Sequence, residues 1–138
     1  VNTQNSGGVC TLTQAAAVAV LNGPQDLLRE RAEIYCQRSD YVLERLNAIP
    51  GLHCHTPGGA FYLYINISEF IGRTCASGKK ITSDADFVMA LIEEQYVVTV
   101  PGAAYGMSPY FRISYATSME RLETGCDRIH AFCSGFLS

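Results

Sequence analysis

Apolar and polar positions alternate along this chain in two distinct periods, and the switches between them divide it into eight elements. Residues 1–10, VNTQNSGGVC, are polar and glycine-containing and read as a loop. A short alanine-rich helix is predicted over about Leu12 to Leu21, stopped by Asn22-Gly23. Gly23-Pro24 opens a second helix, with Asp26 in its first turn. Leu27, Leu28, Arg31, Ile34, Tyr35, Tyr41, Val42, Leu46 and Ile49 follow a helical period, and Pro50-Gly51 ends it. At about 25 residues it would extend roughly 37 Å, more than a small domain needs for itself. It is therefore expected to connect two domains.

The period then changes to two. GLHCHT (51–56) is a short strand candidate, and GAFYLYINI (59–67) is a stronger one. In the latter, Phe61, Leu63, Ile65 and Ile67 alternate with Ala60, Tyr62, Tyr64 and Asn66, which places Phe61 with the core. SEFIGRTCASGKK (68–80) reads as a long polar loop. Ser83 with Asp86 resembles a capping box, followed by Phe87, Val88, Leu91 and Ile92 on one helical face. YVVTV (96–100) and YFRISYA (110–116) are two further strands, the first closed by Pro101-Gly102. Thr117 with Glu120 forms a second capping-box pattern. Leu122, Cys126, Ile129, Phe132, Cys133 and Phe136 give the last helix its apolar face. The order α, long α, β, β, α, β, β, α predicts an α+β fold: a small three- to four-stranded sheet covered by helices, preceded by the long interdomain helix.

Composition narrows the function classes. A chain of 138 residues, 48% apolar, can build one core. A net charge of −3 with scattered basic residues gives no nucleic-acid footprint. The longest apolar run, AAAVAVL (15–21), is too short to span a bilayer. The six cysteines are irregularly spaced, contain no C-x-x-C, and read as reduced thiols of a cytosolic protein. The first residue is Val1 and no secretory signal is visible, which points to a fragment or a processed chain.

Few residues offer chemistry. His53 and His55 would face one way on a strand and Cys54 the other, so a polar surface strand is the better account than a metal site. Gly58 and Gly59 precede a strand rather than a helix, so a tight turn explains them better than phosphate binding. No nucleophile motif is present. Arg112 is the exception: a permanent cation in the middle of an aromatic strand. Either it faces solvent or a structural carboxylate, or its planar fork clamps an anion with two parallel hydrogen bonds.

PGGAFYLYINIS, VVTVPGAAYG and YFRISYATS, with RIHAFC in the final helix, resemble the carboxyl-terminal part of aspartate aminotransferases. These are fold-type I, class I enzymes dependent on pyridoxal 5′-phosphate. TQAAAVAVLNGPQD and RSDYVLERLNAIPG fit the same family, and the likeness covers essentially the whole chain. It implies a domain division of 1–22, the tail of a large cofactor-binding domain, and 23–138, the small domain. It implies that Arg112 binds the substrate α-carboxylate and that Phe61 helps to shape the pocket. Gly7-Gly8 offer no side chain where the family has a run near the partner subunit's site, leaving Asn5 and Ser6 as weaker candidates for a phosphate contact.

The resemblance also implies what this stretch lacks. The family's cofactor-bearing lysine, in a Ser-Lys context, and the aspartate on the pyridine nitrogen lie upstream. Only Lys79 and Lys80 occur here, both in the loop of 68–80. No catalytic residue is therefore expected, the cofactor-binding residues stay unknown, no metal ligand is expected, and the stretch alone is expected to be inactive. The expected partners are an amino acid and a 2-oxo acid, the large domain of the same chain and a second subunit, in the cytoplasm, with no nucleic acid or membrane. Aspartate, aromatic and prephenate-type specificity stay open. The rival reading is a stand-alone amino-acid-binding module without turnover; a third is an inactive proteolytic piece.

Overall fold

The computed structural model describes residues 8–136. The chain divides into two compact units between Glu33 and Ile34. In the first, helix α1 (Thr11–Asn22) has no buried residue. The Gln25 amide closes its C-terminal end, donating to the carbonyls of Val20 at 3.1 Å, Leu21 at 3.3 Å and Gly23 at 2.9 Å. Leu12, Val20 and Leu21 remain more than two-thirds exposed.

Helix α2 (Asp26–Asn47) begins two residues after Pro24, and the division falls within it. Of its predicted stripe only Val42 and Leu46 are buried within the helix, joined there by Ser39 and Leu43, whereas Leu27 and Leu28 are exposed. Asn47 ties the helix end to the sheet: its side-chain oxygen accepts from the Cys54 N–H at 2.8 Å and its amide donates to the Cys54 carbonyl at 3.0 Å. Arg45 pairs with Asp127 of the last helix.

The second unit is built on an antiparallel sheet of order β1-β2-β4-β3. The strands are β1 (His53–Cys54), β2 (Tyr62–Asn66), β3 (Val100–Pro101) and β4 (Tyr110–Ser114). Helices α3 (Asp84–Gln95) and α4 (Met119–Ser134) complete it. The predicted order of elements and the α+β class are therefore as observed. The register pairs Leu63 with Ile113 and Ile65 with Phe111 on one face. It pairs Tyr62 with Ser114, Tyr64 with Arg112 and Asn66 with Tyr110 on the other. The first set faces the helices because only that set is apolar throughout.

The core is an aromatic cluster. Phe87 stacks on Phe111 at 5.4 Å and meets Phe132 edge-on at 5.1 Å; Phe70 meets Phe136 at 4.9 Å. Each such pair adds about 0.5–1.5 kcal/mol to the burial itself. All six apolar positions of the last helical segment, from Leu122 to Phe136, are buried as its period predicts.

Five expectations change. The strand predicted over YVVTV (96–100) is Val100–Pro101, because Tyr96 caps α3 in the left-handed region at φ +57° and Val97 to Thr99 follow outside any strand. The stretch 68–80 is not a polar loop: Ser68–Phe70 form a 3₁₀ turn, Thr74 bridges Lys80, and Phe70 and Cys75 are fully buried. Its apolar residues are too sparse to show a period, yet Phe70 and Cys75 fill the core and Ile71 packs against it. The α4 cap is Ser118, not Thr117, its hydroxyl accepting from the Arg121 N–H at 3.4 Å. In the α3 cap, Ser83 accepts from the Asp86 N–H at 3.2 Å, but the Asp86 carboxylate turns to the N–H and hydroxyl of Thr82 rather than back to Ser83. Phe61 lies outside β2 and is 41% exposed, because Ala60 before it adopts φ +62° and breaks the alternation.

Candidate functional site

The sheet face opposite the helices carries the candidate site. Arg112 is half-buried at the centre of β4, with Tyr64 directly across on β2 and Val100 across on β3. A residue in the middle of a sheet is held by hydrogen-bonded neighbours on both sides, so its backbone has little freedom. Its guanidinium carbon lies over two tyrosine rings, 4.3 Å from the centroid of Tyr62 and 4.1 Å from that of Tyr105. Tyr62 reaches it because it is the diagonal neighbour of Arg112 in this register.

Tyr105 arrives by another route. It ends a 3₁₀ turn, Gly102–Tyr105, that follows β3 directly. Two features fix that turn. The carboxylate of Asp84, only 1% exposed at the start of α3, accepts from the Ala103 N–H at 2.7 Å and from its neighbour's, Ala85, at 3.0 Å. Gly102 runs so close to the segment leading into β4 that a Cβ there would lie 1.8 Å from the Met107 carbonyl oxygen. The Tyr105 ring also meets Tyr64 edge-on at 6.4 Å.

Among the described residues, no carboxylate lies within ion-pair distance of Arg112. It is therefore not the structural ion pair that its position in a strand allows. Its five N–H donors lie in the guanidinium plane, and the aromatic ring faces beside it keep water away without taking up those donors. Such surroundings raise the strength of a charged hydrogen bond by displacing water.

Phe61 sits at the entry to β2, 4.4 Å from Tyr62 and 6.4 Å from Tyr35 between ring centroids. It thus touches an aromatic ring that in turn touches Arg112. The turn before it is held by Tyr115, whose hydroxyl donates to the Ala60 carbonyl at 2.9 Å and whose N–H donates to the Phe61 carbonyl at 3.0 Å. Asn5, Ser6 and Gly7 lie outside the described residues. Gly8 has open space where a side chain would stand. Sequence reading missed Tyr62, Tyr105 and Asp84. The aromatic run around GAFY and PGAAYG was visible, but not which rings converge on the arginine.

The lysines do not join this face. They belong to the hairpin at 73–81, which is tied to α3 by Lys79 and Glu93 at 3.8 Å and by the Ser77 N–H and Glu94 at 3.4 Å. Helix α3 packs on the opposite side of the sheet, through Phe87 on Phe111. His53 pairs with Glu69 at 3.0 Å. Burial pushes the Cys54 thiol up to about 11. Among the described residues, no group of three metal-ligating side chains occurs. A cleft of about 740 Å³ runs along α4 between Tyr96 and Arg128 and includes none of the residues around Arg112.

Comparison with known proteins places these features in a family. The family model for aminotransferase class I and II matches residues 1–129. An aspartate aminotransferase of Rhizobium meliloti (strain 1021) is 47% identical over 133 residues, which are 96% of this chain and 32% of that protein. An aspartate/prephenate aminotransferase of Cereibacter sphaeroides is 47% identical over 135 residues, 98% of this chain and 34% of that one. Among solved structures, the Rhizobium meliloti aspartate aminotransferase superposes with a TM-score of 0.93 at 45% identity, over 98% of this chain and 34% of its own. The aromatic aminotransferase of Pyrococcus horikoshii OT3 gives 0.76 at 31% identity, over 94% and 33%. The chain thus spans about a third of the length of the relatives it matches. On sequence and fold alike, it belongs to the class I and II aminotransferase family.

Proposed function

We propose that this chain is the substrate-gripping part of a pyridoxal-phosphate-dependent aspartate-type aminotransferase. In that reading Arg112 takes the α-carboxylate of the amino acid and of the 2-oxo acid, and Phe61 forms part of the pocket wall. The observation that carries it is the half-buried guanidinium of Arg112, flanked by Tyr62 and Tyr105 and lacking a carboxylate among the described residues. Two parallel N–H···O bonds from a planar fork hold a carboxylate in one orientation, which fixes the reacting carbon relative to everything else in the pocket. Pyridoxal phosphate supplies the electron sink for amino transfer. The residues present do not fit that group: both lysines belong to the hairpin at 73–81, where Lys79 pairs with Glu93 of α3, so no step through the cofactor is assigned to this chain.

The domain reading follows: 1–22 as the tail of a large domain and 23–138 as the small domain, joined by α2. Support comes from the compact unit that starts at Ile34 and from the apolar residues that α1 leaves exposed, which a large domain of the same protein would cover. A second subunit and a cytoplasmic setting are part of the same proposal, the latter in keeping with six free thiols. Aspartate and prephenate are the compounds in the relatives' names, and the proposal takes aspartate as an amino donor and prephenate, a 2-oxo acid, as an acceptor.

The test is Arg112→Leu in the full-length protein. We expect kcat/KM to fall by on the order of 10²–10³-fold for dicarboxylic and aromatic donors alike, because both carry the α-carboxylate. Near-normal kinetics would sink the assignment. The rival reading, a binding module without turnover, is favoured by the self-contained core of the second unit. Amino-group transfer by the full-length protein would exclude it.

A further inference from the structure

We propose that Tyr62 and Tyr105 are positioning residues for the carboxylate-binding arginine, holding the Arg112 fork by its contact with their ring faces rather than by any hydrogen bond. The inference rests on the carboxylate-binding reading of Arg112 and adds to it how the fork is aimed. An arginine side chain has four rotatable bonds, and a free fork would have to be ordered each time a ligand arrives. Hydrogen-bonded acceptors would order it in advance, but they would compete with the ligand for the same N–H groups. Aromatic rings do not. They attract the cation through their negative faces and leave every donor free.

Each ring is itself fixed. Tyr62 belongs to β2 and is set by the register that pairs Tyr64 with Arg112. Tyr105 is set by the turn that Asp84 grips at the Ala103 N–H and that Gly102 lets pass against the Met107 carbonyl. The two rings come from segments far apart in the chain yet lie 4.3 and 4.1 Å from the same carbon. Tyr105 is 51% exposed, so one side of its ring is also open to whatever lies above the sheet. The hydroxyl groups of both tyrosines have no part in this role, and phenylalanine would serve as well.

The full-length protein tests this through substitutions at the two positions. Tyr62→Leu and Tyr105→Leu should each raise KM for amino donor and 2-oxo acid by on the order of tenfold. Kcat should stay within about twofold, as expected when uniform binding is lost. Tyr62→Phe and Tyr105→Phe should both restore wild-type KM. A fluorinated phenylalanine series at position 105, installed by codon suppression, removes the negative ring face without changing its shape. KM should climb with each added fluorine. A flat response to fluorination, or leucine variants as good as phenylalanine, would overturn the positioning role. Because position 105 is half exposed, the fluorinated series stays informative even if Tyr62→Leu does not fold. The Arg112→Leu variant separates the two levels. If it loses activity while the tyrosine variants do not, the carboxylate reading stands and the positioning role falls. If it keeps activity, the carboxylate reading itself is lost.

Discussion

The hydroxyl of Tyr115 donates to the carbonyl of Ala60 at 2.9 Å, and so pins a residue whose φ of +62° a side chain disfavours. A left-handed non-glycine residue costs roughly 1–2 kcal/mol. The bond lies beneath the turn that presents Phe61. Tyr115→Phe should therefore lower stability by about 1 kcal/mol. Ala60→Gly, in contrast, should stabilise by up to about 1 kcal/mol, the relief of strain exceeding the added chain entropy. Urea unfolding of the two variants checks both signs.

Asp84→Ala should be damaging beyond its local bond. It removes the charged acceptor of the part-buried Ala103 N–H bond, a loss of about 1.5–3 kcal/mol. It also frees the turn that carries Tyr105. Lower stability together with a higher KM in the full-length protein is the expected pair of outcomes. Asp84→Asn keeps an acceptor in place and should recover most of both.

The cap of α3 depends on pH. Hydrogen bonds from the Thr82 hydroxyl and N–H hold the Asp86 carboxyl below its usual range. A carboxyl whose pKa is lowered by folding contributes stability above its unfolded value and loses it as the pH falls through the folded one. Thr82→Val should destabilise the protein at neutral pH, and the difference from wild type should shrink as the solution is acidified below the ordinary aspartate range. Thermal melts across that range measure it. Ser83→Ala should cost about 1 kcal/mol through loss of the bond from the Asp86 N–H.

The thiols should separate by reactivity. Cys10, exposed at the start of α1, is shifted down by the N–H groups of Leu12 and Thr13. Burial pushes Cys126 up to about 11 and Cys133 up to about 12. Because the thiolate is the reactive form, alkylation of the 138-residue chain near pH 7 should label Cys10 well before Cys133. Mass mapping of a short time course gives the order.

The aromatic cluster sets the scale of the core. Phe87 touches Phe70, Phe111, Phe132 and Phe136. Phe87→Ala should lower stability by about 3–5 kcal/mol, enough to unfold a marginal domain. Loss of the cooperative transition in circular dichroism is the expected readout.

The elements were legible where one period ran uninterrupted. The six apolar positions from Leu122 to Phe136 and the alternation from Leu63 to Ile67 predicted their burial correctly. Phe61 broke the rule because a single backbone angle at Ala60 ended the alternation, and no residue type announces that angle. Arg112 was legible as a chemical oddity, and the motifs around it are what lead to the proposal that it binds a carboxylate. Its surroundings were not. Tyr62 depends on a register, Tyr105 on a turn, and that turn on a carboxylate 19 positions away, none of which a linear pattern carries.

Three glycines near these motifs differ in a way that matters for reading mutational data. Gly58 and Gly59 have nothing within 4 Å of where a Cβ would stand, and neither has positive φ. Gly102 has a carbonyl oxygen 1.8 Å away. In a saturation library, position 102 would therefore reject every other residue without ever touching a ligand, while 58 and 59 would accept many. Intolerance at 102 is thus a measure of backbone crowding, and a ranking of this protein's positions by mutational cost would place a residue with no side chain to offer a ligand among its most essential ones.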